Sequence, residues 1–247
     1  KKADGLNAEF IATGHYARIE YDEVEDAYLL RKGVDPEKDQ SYFLYVMTQN
    51  VLKRTLMPLG RFRKTDVREL ARNMNLRVST KPESQEICFI EGKNYRRFFE
   101  QYSPQLLEPG PIRSEAGEIL GTHTGIMGYT IGQRRGLGIS SASPLYVTEI
   151  DRASNTITVG SRNRVYHREL EAQAVNWIAG EPQNDSIAVT AKIRSLHVPA
   201  EALLFPADEK GIRVSFREAQ WAVAPGQAVV CYTGDTVLCG GVITRGW

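Results

Sequence analysis

Cysteines are the residues of this 247-residue chain best suited to covalent chemistry, and there are three of them. Cys88 lies in Lys81-Pro82-Glu83-Ser84-Gln85-Glu86-Ile87-Cys88-Phe89-Ile90, where a polar, proline-broken loop meets a short apolar strand. Reactive groups concentrate on loops held by a scaffold. Lys81 and the basic stretch before it favour the thiolate, the nucleophilic form, whereas Glu83 and Glu86 would oppose it at close range. A reactive thiol and a buried structural cysteine both fit this context. Cys231 and Cys239 flank Thr233-Gly234-Asp235 in adjacent predicted strands and can face each other across a hairpin. Packed free thiols are expected there. No metal is expected, because no further Cys or His stands at ligand spacing.

The run from Gly125 to Ile139 (GIMGYTIGQRRGLGI) is dense in glycine and carries Arg134 and Arg135. It ends in no Gly-Lys-Ser/Thr, and its spacing is not that of a dinucleotide fingerprint. Two readings stay open: tight turns at positive φ, or close backbone approach to a phosphate helped by the arginines. His15, His123, His167 and His197 are scattered, with no Ser-His-Asp set and no paired carboxylates.

Net charge is only +1, so no chain-wide field attracts nucleic acid. Local balance differs. Between Lys53 and Lys81 nine basic residues face only Asp66 and Glu69, a net +7 over 29 residues. Pairs follow at Arg96-Arg97, Arg134-Arg135 and Arg162/Arg164. Each cluster alone reads as a solvated face; together they could follow a phosphate backbone.

The elements that must position these residues change character along the chain. Phe10-Ile11-Ala12 reads as the end of a buried strand, and Gly14-His15-Tyr16 as the turn after it. Residues 16–21 and 27–31 form a predicted hairpin across an acidic loop. Asp39 or Ser41 caps a predicted helix running to about Leu56, and Thr65 caps a second. Tyr95, Phe98, Phe99 and Tyr102 mark a third, short helix. After Pro109-Gly110-Pro111 strands shorten and glycines multiply, with a hairpin expected over 145–150 and 156–159. From about His167 the pattern is all β, with strands at 187–193, 211–216, 228–232 and 237–243 at barrel-like spacing.

Composition is that of an ordinary globular protein, 42% hydrophobic and 25% charged. No apolar run approaches a membrane span, and no basic-then-apolar leader opens the chain. A reducing cytoplasmic location is therefore expected. The chain opens on Lys1 and on a polar helix end feeding a strand, which predicts the C-terminal part of a longer protein.

These segments together resemble the tRNA-specific 2-thiouridylase family. The matching stretches are Ala12-Thr13-Gly14-His15-Tyr16-Ala17-Arg18, Lys38-Asp39-Gln40-Ser41-Tyr42-Phe43-Leu44, Ser84-Gln85-Glu86-Ile87-Cys88-Phe89, the Gly125–Ile139 run, and Pro225-Gly226-Gln227 with Gly240-Gly241. They occur in the family's order across nearly the whole chain. The resemblance implies an α/β part followed by all-β parts: the remnant of an ATP-pyrophosphatase (PP-loop, Rossmann-like) domain with a helical tRNA-binding insert over residues 1–95, a small glycine-rich β-containing domain over 96–165, and a C-terminal antiparallel β-barrel over 166–247.

The resemblance further implies an enzyme that uses ATP, with Mg, to adenylate the C2 oxygen of the anticodon wobble uridine. A persulfide sulfur then replaces that oxygen, giving 2-thiouridine. Cys88 resembles the persulfide-bearing cysteine, which in the family ends in a disulfide with a second cysteine. Gly14 resembles an ATP-contacting glycine. His15 resembles a residue that reaches tRNA near the target base, and Lys38, Asp39 and Gln40 resemble a tRNA-contacting triplet. Arg194, Ser195 and Gln227 fall where the family's barrel meets tRNA, although Ser195 stands where a tyrosine is expected. The implied partners are tRNA and a sulfur-relay or cysteine desulfurase donor protein, with no membrane. The family's Ser-Gly-Gly-x-Asp-Ser phosphate loop and its partner cysteine do not occur in these 247 residues, so the segment is expected to be inactive alone.

Two other classes compete: a non-catalytic RNA-binding protein built on the barrel, and an ATP-pyrophosphatase acting on a small molecule. Binding of tRNA that needs neither ATP nor Cys88 marks the first, and ATP turnover indifferent to tRNA marks the second.

Overall fold

The computed structural model describes residues 2–77, 95–180, 185–207 and 211–247. In chain order the elements are α1 (Lys2–Gly5), β1 (Ile11–Ala12), β2 (Ala17–Asp22), β3 (Ala27–Lys32), α2 (Ser41–Leu44), α3 (Gln49–Leu52), β4 (Thr55–Leu56), α4 (Lys64–Asn73), α5 (Tyr95–Tyr102), β5 (Gly110–Ser114), β6 (Ile119–His123), β7 (Tyr146–Asp151), β8 (Thr156–Gly160), β9 (Tyr166–Trp177), β10 (Ile187–Lys192), β11 (Ala200–Ala207), β12 (Gly211–Trp221), β13 (Ala228–Thr233) and β14 (Thr236–Gly246). The chain divides into two compact units. One holds residues 1–81, 168–218 and 224–247; the other holds 82–167 and 219–223. No helix among the described residues is long and apolar enough to cross a membrane.

In the first unit six antiparallel strands close into a barrel in the order β13-β10-β11-β12-β9-β14, with β14 returning to β13. Closure removes the unpaired edges that an open sheet would leave. Alternation drives it: on β12, Ile212, Val214 and Phe216 are buried while the residues between them are not. On β13 both faces are buried. Val229 and Cys231 occupy one, and Val230 and Tyr232 join a second core with Ala17, Leu30, Tyr42, Leu52 and Met57. That second core packs the β2–β3 hairpin and the short helices against the barrel wall. Cys231 and Cys239 pair directly across β13 and β14, fully buried as free thiols. A hydrogen bond between the two, with burial added, pushes the Cys231 thiol well above its ordinary range.

The hairpin forms as its alternation predicts, and β3 joins the barrel sheet where Arg31 meets Thr236. Arg18 and Arg31 stand directly opposite one another on β2 and β3, a destabilising placement if uncompensated. Glu20 and Asp235 compensate it. Arg18 reaches Glu20 at 3.1 Å and also contacts Asp235; Arg31 reaches Glu20 at 2.9 Å and Asp235 at 3.0 Å. Gly60 is a glycine for want of room: a Cβ there would lie 1.7 Å from the Ala17 carbonyl oxygen.

Three local expectations are corrected. The helix expected from Asp39 or Ser41 to Leu56 is two single turns, α2 and α3, followed by strand β4. Asn176 donates through Nδ2 to the carbonyls of Tyr45 and Met47, at 2.6 and 2.9 Å, and so takes acceptors that a continuous helix would need. Helix α4 starts at Lys64, with Thr65 inside its first turn and Arg63 at the N-cap; the Arg63 N–H donates to Asp66 Oδ2 at 3.3 Å. Finally, β1 is exposed rather than buried, pairing parallel with β4 through Ile11↔Thr55 and Ala12↔Leu56.

The second unit carries a four-stranded sheet in the order β6-β5-β8-β7, whose core is Ile112, Ile126, Leu137, Val147, Ile157 and Val159. Gly132 has φ +85°, and a Cβ there would meet the Trp221 indole nitrogen at 2.9 Å. His123 is fully buried. It takes the Gly125 N–H on Nδ1 at 3.1 Å and meets the Asn155 carbonyl through Nε2 at 2.9 Å. A neutral ring protonated on Nε2 satisfies both contacts, so this histidine serves the fold.

Candidate functional site

Cys88 lies outside the described residues. The other singled-out residues all fall in the first unit, in four separate stretches of chain that the fold brings together. Gly14 and His15 form the exposed and half-buried turn leading into β2. A Cβ on Gly14 would make only an ordinary 3.6 Å contact with Leu59, so packing within the protein does not require glycine there. His15 Nδ1 lies 2.7 Å from Thr13 Oγ1. When that hydroxyl donates, the ring proton sits on Nε2, which is then a hydrogen-bond donor.

Gln40 ties this turn to the next stretch with a two-way clasp. Its Oε1 accepts from the Tyr16 N–H at 2.9 Å, and its own N–H donates to the Tyr16 carbonyl at 2.9 Å. Asp39 organises the same corner. Its Oδ1 accepts from the Gly33 and Ser41 N–H groups, both at 3.1 Å, and its Oδ2 accepts from the Ser41 hydroxyl at 2.9 Å. The carboxylate therefore sits just before α2 and restrains its start, while Lys38 is half-buried beside it.

Tyr42 extends the connection to the barrel. Its hydroxyl donates to the Ala228 carbonyl at 2.8 Å, next to Gln227. Burial, followed by the neighbouring Tyr45, pushes its phenol up to about 12; the hydrogen bond and the nearby Arg194 guanidinium partly oppose this. Gln40, Tyr42, Arg194 and Gln227 are thus joined through direct contacts or a shared neighbour. Ser195 follows Arg194 in the turn after β10 and is half-buried. Beyond it Leu196 is 96% exposed, an apolar tip at this end of the barrel.

Sequence reasoning missed two further groups of this corner, Lys32 at the end of β3 and Lys192 at the end of β10. The Lys32 ammonium lies 4.3 Å from the centre of the Tyr232 ring, and that of Lys192 lies 5.9 Å from the centre of Tyr42. Each amine is held below its usual value, first by burial. The alternation of β10 sets Lys192 on one face of the strand, but no local signal brings it near a residue 160 positions earlier.

Of the basic stretch, Lys64 reaches this corner, its ammonium lying 5.1 Å from the centre of the Tyr16 ring. Lys53, Arg54, Arg61, Arg63, Arg68, Arg72 and Arg77 of the same stretch are exposed. Arg54 is already engaged, reaching Asp4 at 2.6 Å and the carbonyls of Ala8 and Glu9. In the second unit the glycine-rich run makes tight turns, with Gly136 and Gly138 at φ +76° and +68°. They border a recess of about 420 Å³ lined also by Arg134 and Ser141. Among the described residues no His, Cys, Asp and Glu cluster could hold a metal ion.

Comparison with known proteins covers almost the whole chain. Residues 1–92 match the family described as tRNA methyl transferase HUP domain, residues 96–161 the tRNA methyl transferase PRC-barrel domain, and residues 167–243 the aminomethyltransferase β-barrel domain. The fold is accordingly α/β followed by all-β. A protein of Halothermothrix orenii named tRNA-specific 2-thiouridylase MnmA is 46% identical over 243 residues, which is 98% of this chain and 68% of that protein. Proteins of the same name from Geotalea uraniireducens and Acetivibrio thermocellus are 49% and 45% identical, over 64% and 67% of their lengths. The chain thus spans about two thirds of the length of the curated relatives it matches. With that identity sustained from end to end, the chain belongs to the tRNA-specific 2-thiouridylase family.

Proposed function

We propose that the protein of which this chain is part replaces the C2 oxygen of a tRNA wobble uridine with sulfur; its relatives are named tRNA-specific 2-thiouridylases. The observation that carries the reading is the corner in which Gly14-His15, Lys38-Asp39-Gln40, Arg194 and Gln227 are connected through Tyr16 and Tyr42. Those residues come from both the α/β part and the barrel. A folded RNA is large enough to engage both, with backbone contacts setting its position.

ATP, with Mg, supplies the activation that turns the uridine C2 oxygen into part of a leaving group, and Gly14 is the residue of this chain assigned to it. Gly14 is exposed and has no side chain, which suits the close approach of a nucleotide. His15, held through Nδ1, presents Nε2 to the base or its ribose. Arg194 and Lys38 meet phosphates, and Gln227 offers its exposed amide to the RNA. Ser195 lacks the ring for stacking, so that position contributes at most a hydroxyl hydrogen bond. Cys88 carries the incoming sulfur as a persulfide, loaded by a donor protein, and its release forms a disulfide with a second cysteine of the complete protein. Cys231 and Cys239 are unsuited to either part, being fully buried against one another. The division at about residues 95 and 165 is part of the same proposal, as is a cytoplasmic location. The 247 residues alone, which contain no Ser-Gly-Gly-x-Asp-Ser loop, are not assigned the activity.

The family descriptions speak of methyl transfer, the relatives' names of thiolation, and nucleoside mass spectrometry separates the two. Unmodified tRNA incubated with the complete protein, ATP and a sulfane-sulfur donor is expected to gain sulfur in place of one oxygen at the wobble uridine, together with AMP. A methyl increment dependent on a methyl donor, or AMP release indifferent to tRNA, would overturn the proposal.

A further inference from the structure

We propose that Lys32 and Lys192 form a seat for one backbone phosphodiester of the bound tRNA, floored by Tyr42 and Tyr232. The inference rests on the tRNA reading above and assigns it two residues that no sequence motif marks. The two lysines lie 160 positions apart, at the ends of β3 and β10, yet each borders a tyrosine of the same core: Lys32 lies over the Tyr232 ring, and Lys192, paired with Val230 two residues from Tyr232, lies beside Tyr42.

The argument is one of charge balance. Lys192 is 8% exposed as a residue. Among the described residues, neither ammonium forms an ion pair with a carboxylate. Lys32 donates to the Gly234 carbonyl at 3.3 Å and lies over the Tyr232 ring; Lys192 has the Tyr42 ring at 5.9 Å. Two carboxylates are close enough to favour these cations, Asp39 for both and Asp235 for Lys32. Asp235 is shared with two arginines, and Asp39 brings one negative charge to two ammonium groups. Asp39 spends its two oxygens on Gly33 and Ser41, and Asp235 contacts Arg18 and Arg31. Lys32 also disfavours the charge on Lys192. The surroundings of the two lysines therefore hold an excess of partly desolvated positive charge. A lysine that merely lays its stem on apolar surface keeps its head in water and apart from like charge. Here the two heads lie against tyrosine rings of one core and disfavour each other's charge, an arrangement that gains when an anion joins them. Asp39 acts on both lysines, and Lys192 and Arg194 both act at Tyr42, so a phosphodiester seated there would belong to an RNA already in contact with Lys38-Asp39-Gln40.

The test uses the complete protein and a tRNA transcript, with binding followed by fluorescence anisotropy over a series of salt concentrations. Lys32→Gln and Lys192→Gln are each expected to weaken binding about fivefold and to flatten the plot of log K against log[salt] by about one unit, the signature of one lost phosphate contact. Lys192→Arg keeps the charge and is expected to stay within about twofold of wild type. The double variant is expected to fall little below either single one, because both serve one phosphate. In the wild-type protein, where folding of a variant is not at issue, tRNA is expected to shield the half-buried Lys32 from reductive methylation. Unchanged affinity and slope in both variants would overturn the seat. So would a loss of affinity with an unaltered slope and a shifted melting curve, the mark of a structural role. Shielding by ATP or pyrophosphate without tRNA would overturn the assignment to RNA backbone. Failure of the wild-type protein to bind tRNA at all would instead remove the thiolation reading on which the seat rests.

Discussion

Gln40 shows how one side chain can serve the fold and the site together. Its amide oxygen is the acceptor for the Tyr16 N–H, and Tyr16 is 6% exposed, so removing the acceptor strands a buried donor. Gln40→Ala is expected to cost about 1–3 kcal/mol, read as a lower midpoint in denaturant unfolding. Gln40→Glu retains an oxygen at the same place and is expected to recover most of the loss. A midpoint unmoved by the alanine change would show that water replaces the contact freely. At this scale the sequence was partly legible. The Cys231–Cys239 pairing followed from two alternating runs around a turn, and the structure has it. The site residues were legible only through the five motif stretches, since a glycine, a histidine or a Lys-Asp-Gln triplet has no chemistry of its own that spacing could reveal. Lys32 and Lys192 were invisible for a physical reason: what distinguishes them is shared burial and shared charge, created by strand pairings remote in sequence.

Among the elements, the β2–β3 hairpin was readable because alternation, an acidic loop and β-branched and aromatic residues agree locally. The stretch after it was not. Residues 41–56 keep helical spacing, yet the carbonyls of Tyr45 and Met47 are claimed by Asn176 from β9, and Gln49 turns its amide to the peptide of Tyr28 and the carbonyl of Ile178. Tertiary partners outcompete a local preference worth only tenths of a kcal/mol per residue. Asn176→Leu leaves both carbonyls without that donor and is expected to cost about 1–3 kcal/mol by chemical denaturation. An unchanged midpoint would mean that α2 and α3 break for another reason.

The arginine-carboxylate set between the hairpin and the β13–β14 turn has a defined pH signature. Burial pushes the Asp235 carboxyl up, but hydrogen bonding and charge from Arg18, then Arg31, outweigh it and hold the group below its ordinary 3.8. A carboxylate depressed in the folded state contributes stability above its unfolded pKa and loses it as pH falls through the folded value. Asp235→Asn is therefore expected to lower stability by about 1 kcal/mol at neutral pH, a modest figure because the group is partly exposed. The gap to wild type closes below pH 3.8. A gap that persists in acid would indicate lost packing rather than lost charge.

At the scale of the whole molecule, strand spacing was enough for a terminal antiparallel barrel, whereas the α/β character of the first part came from the family resemblance. Neither revealed that the barrel and the N-terminal elements would form one compact unit with a shared core of Leu30, Tyr42, Val230 and Tyr232. That sharing gives the proposed function its physical basis. Residues separated by up to two hundred positions are held in one corner by hydrogen bonds to the backbone of Tyr16 and Ala228, so a bound RNA meets a prearranged surface. Leu30→Ala would open a cavity in that core and is expected to destabilise the first unit by about 3 kcal/mol. It should weaken tRNA binding in the same preparation near its melting range, as measured by anisotropy across temperature. Affinity that tracks wild type through unfolding of this core would separate the corner from RNA recognition.

The most direct test of the thiolation account is the 2-thiouridine content of tRNA in cells whose copy of the complete protein carries Cys88→Ser, measured by nucleoside mass spectrometry. Loss of 2-thiouridine, with tRNA binding by the purified variant preserved, is the predicted result. Undiminished 2-thiouridine would contradict the assignment of sulfur transfer to Cys88.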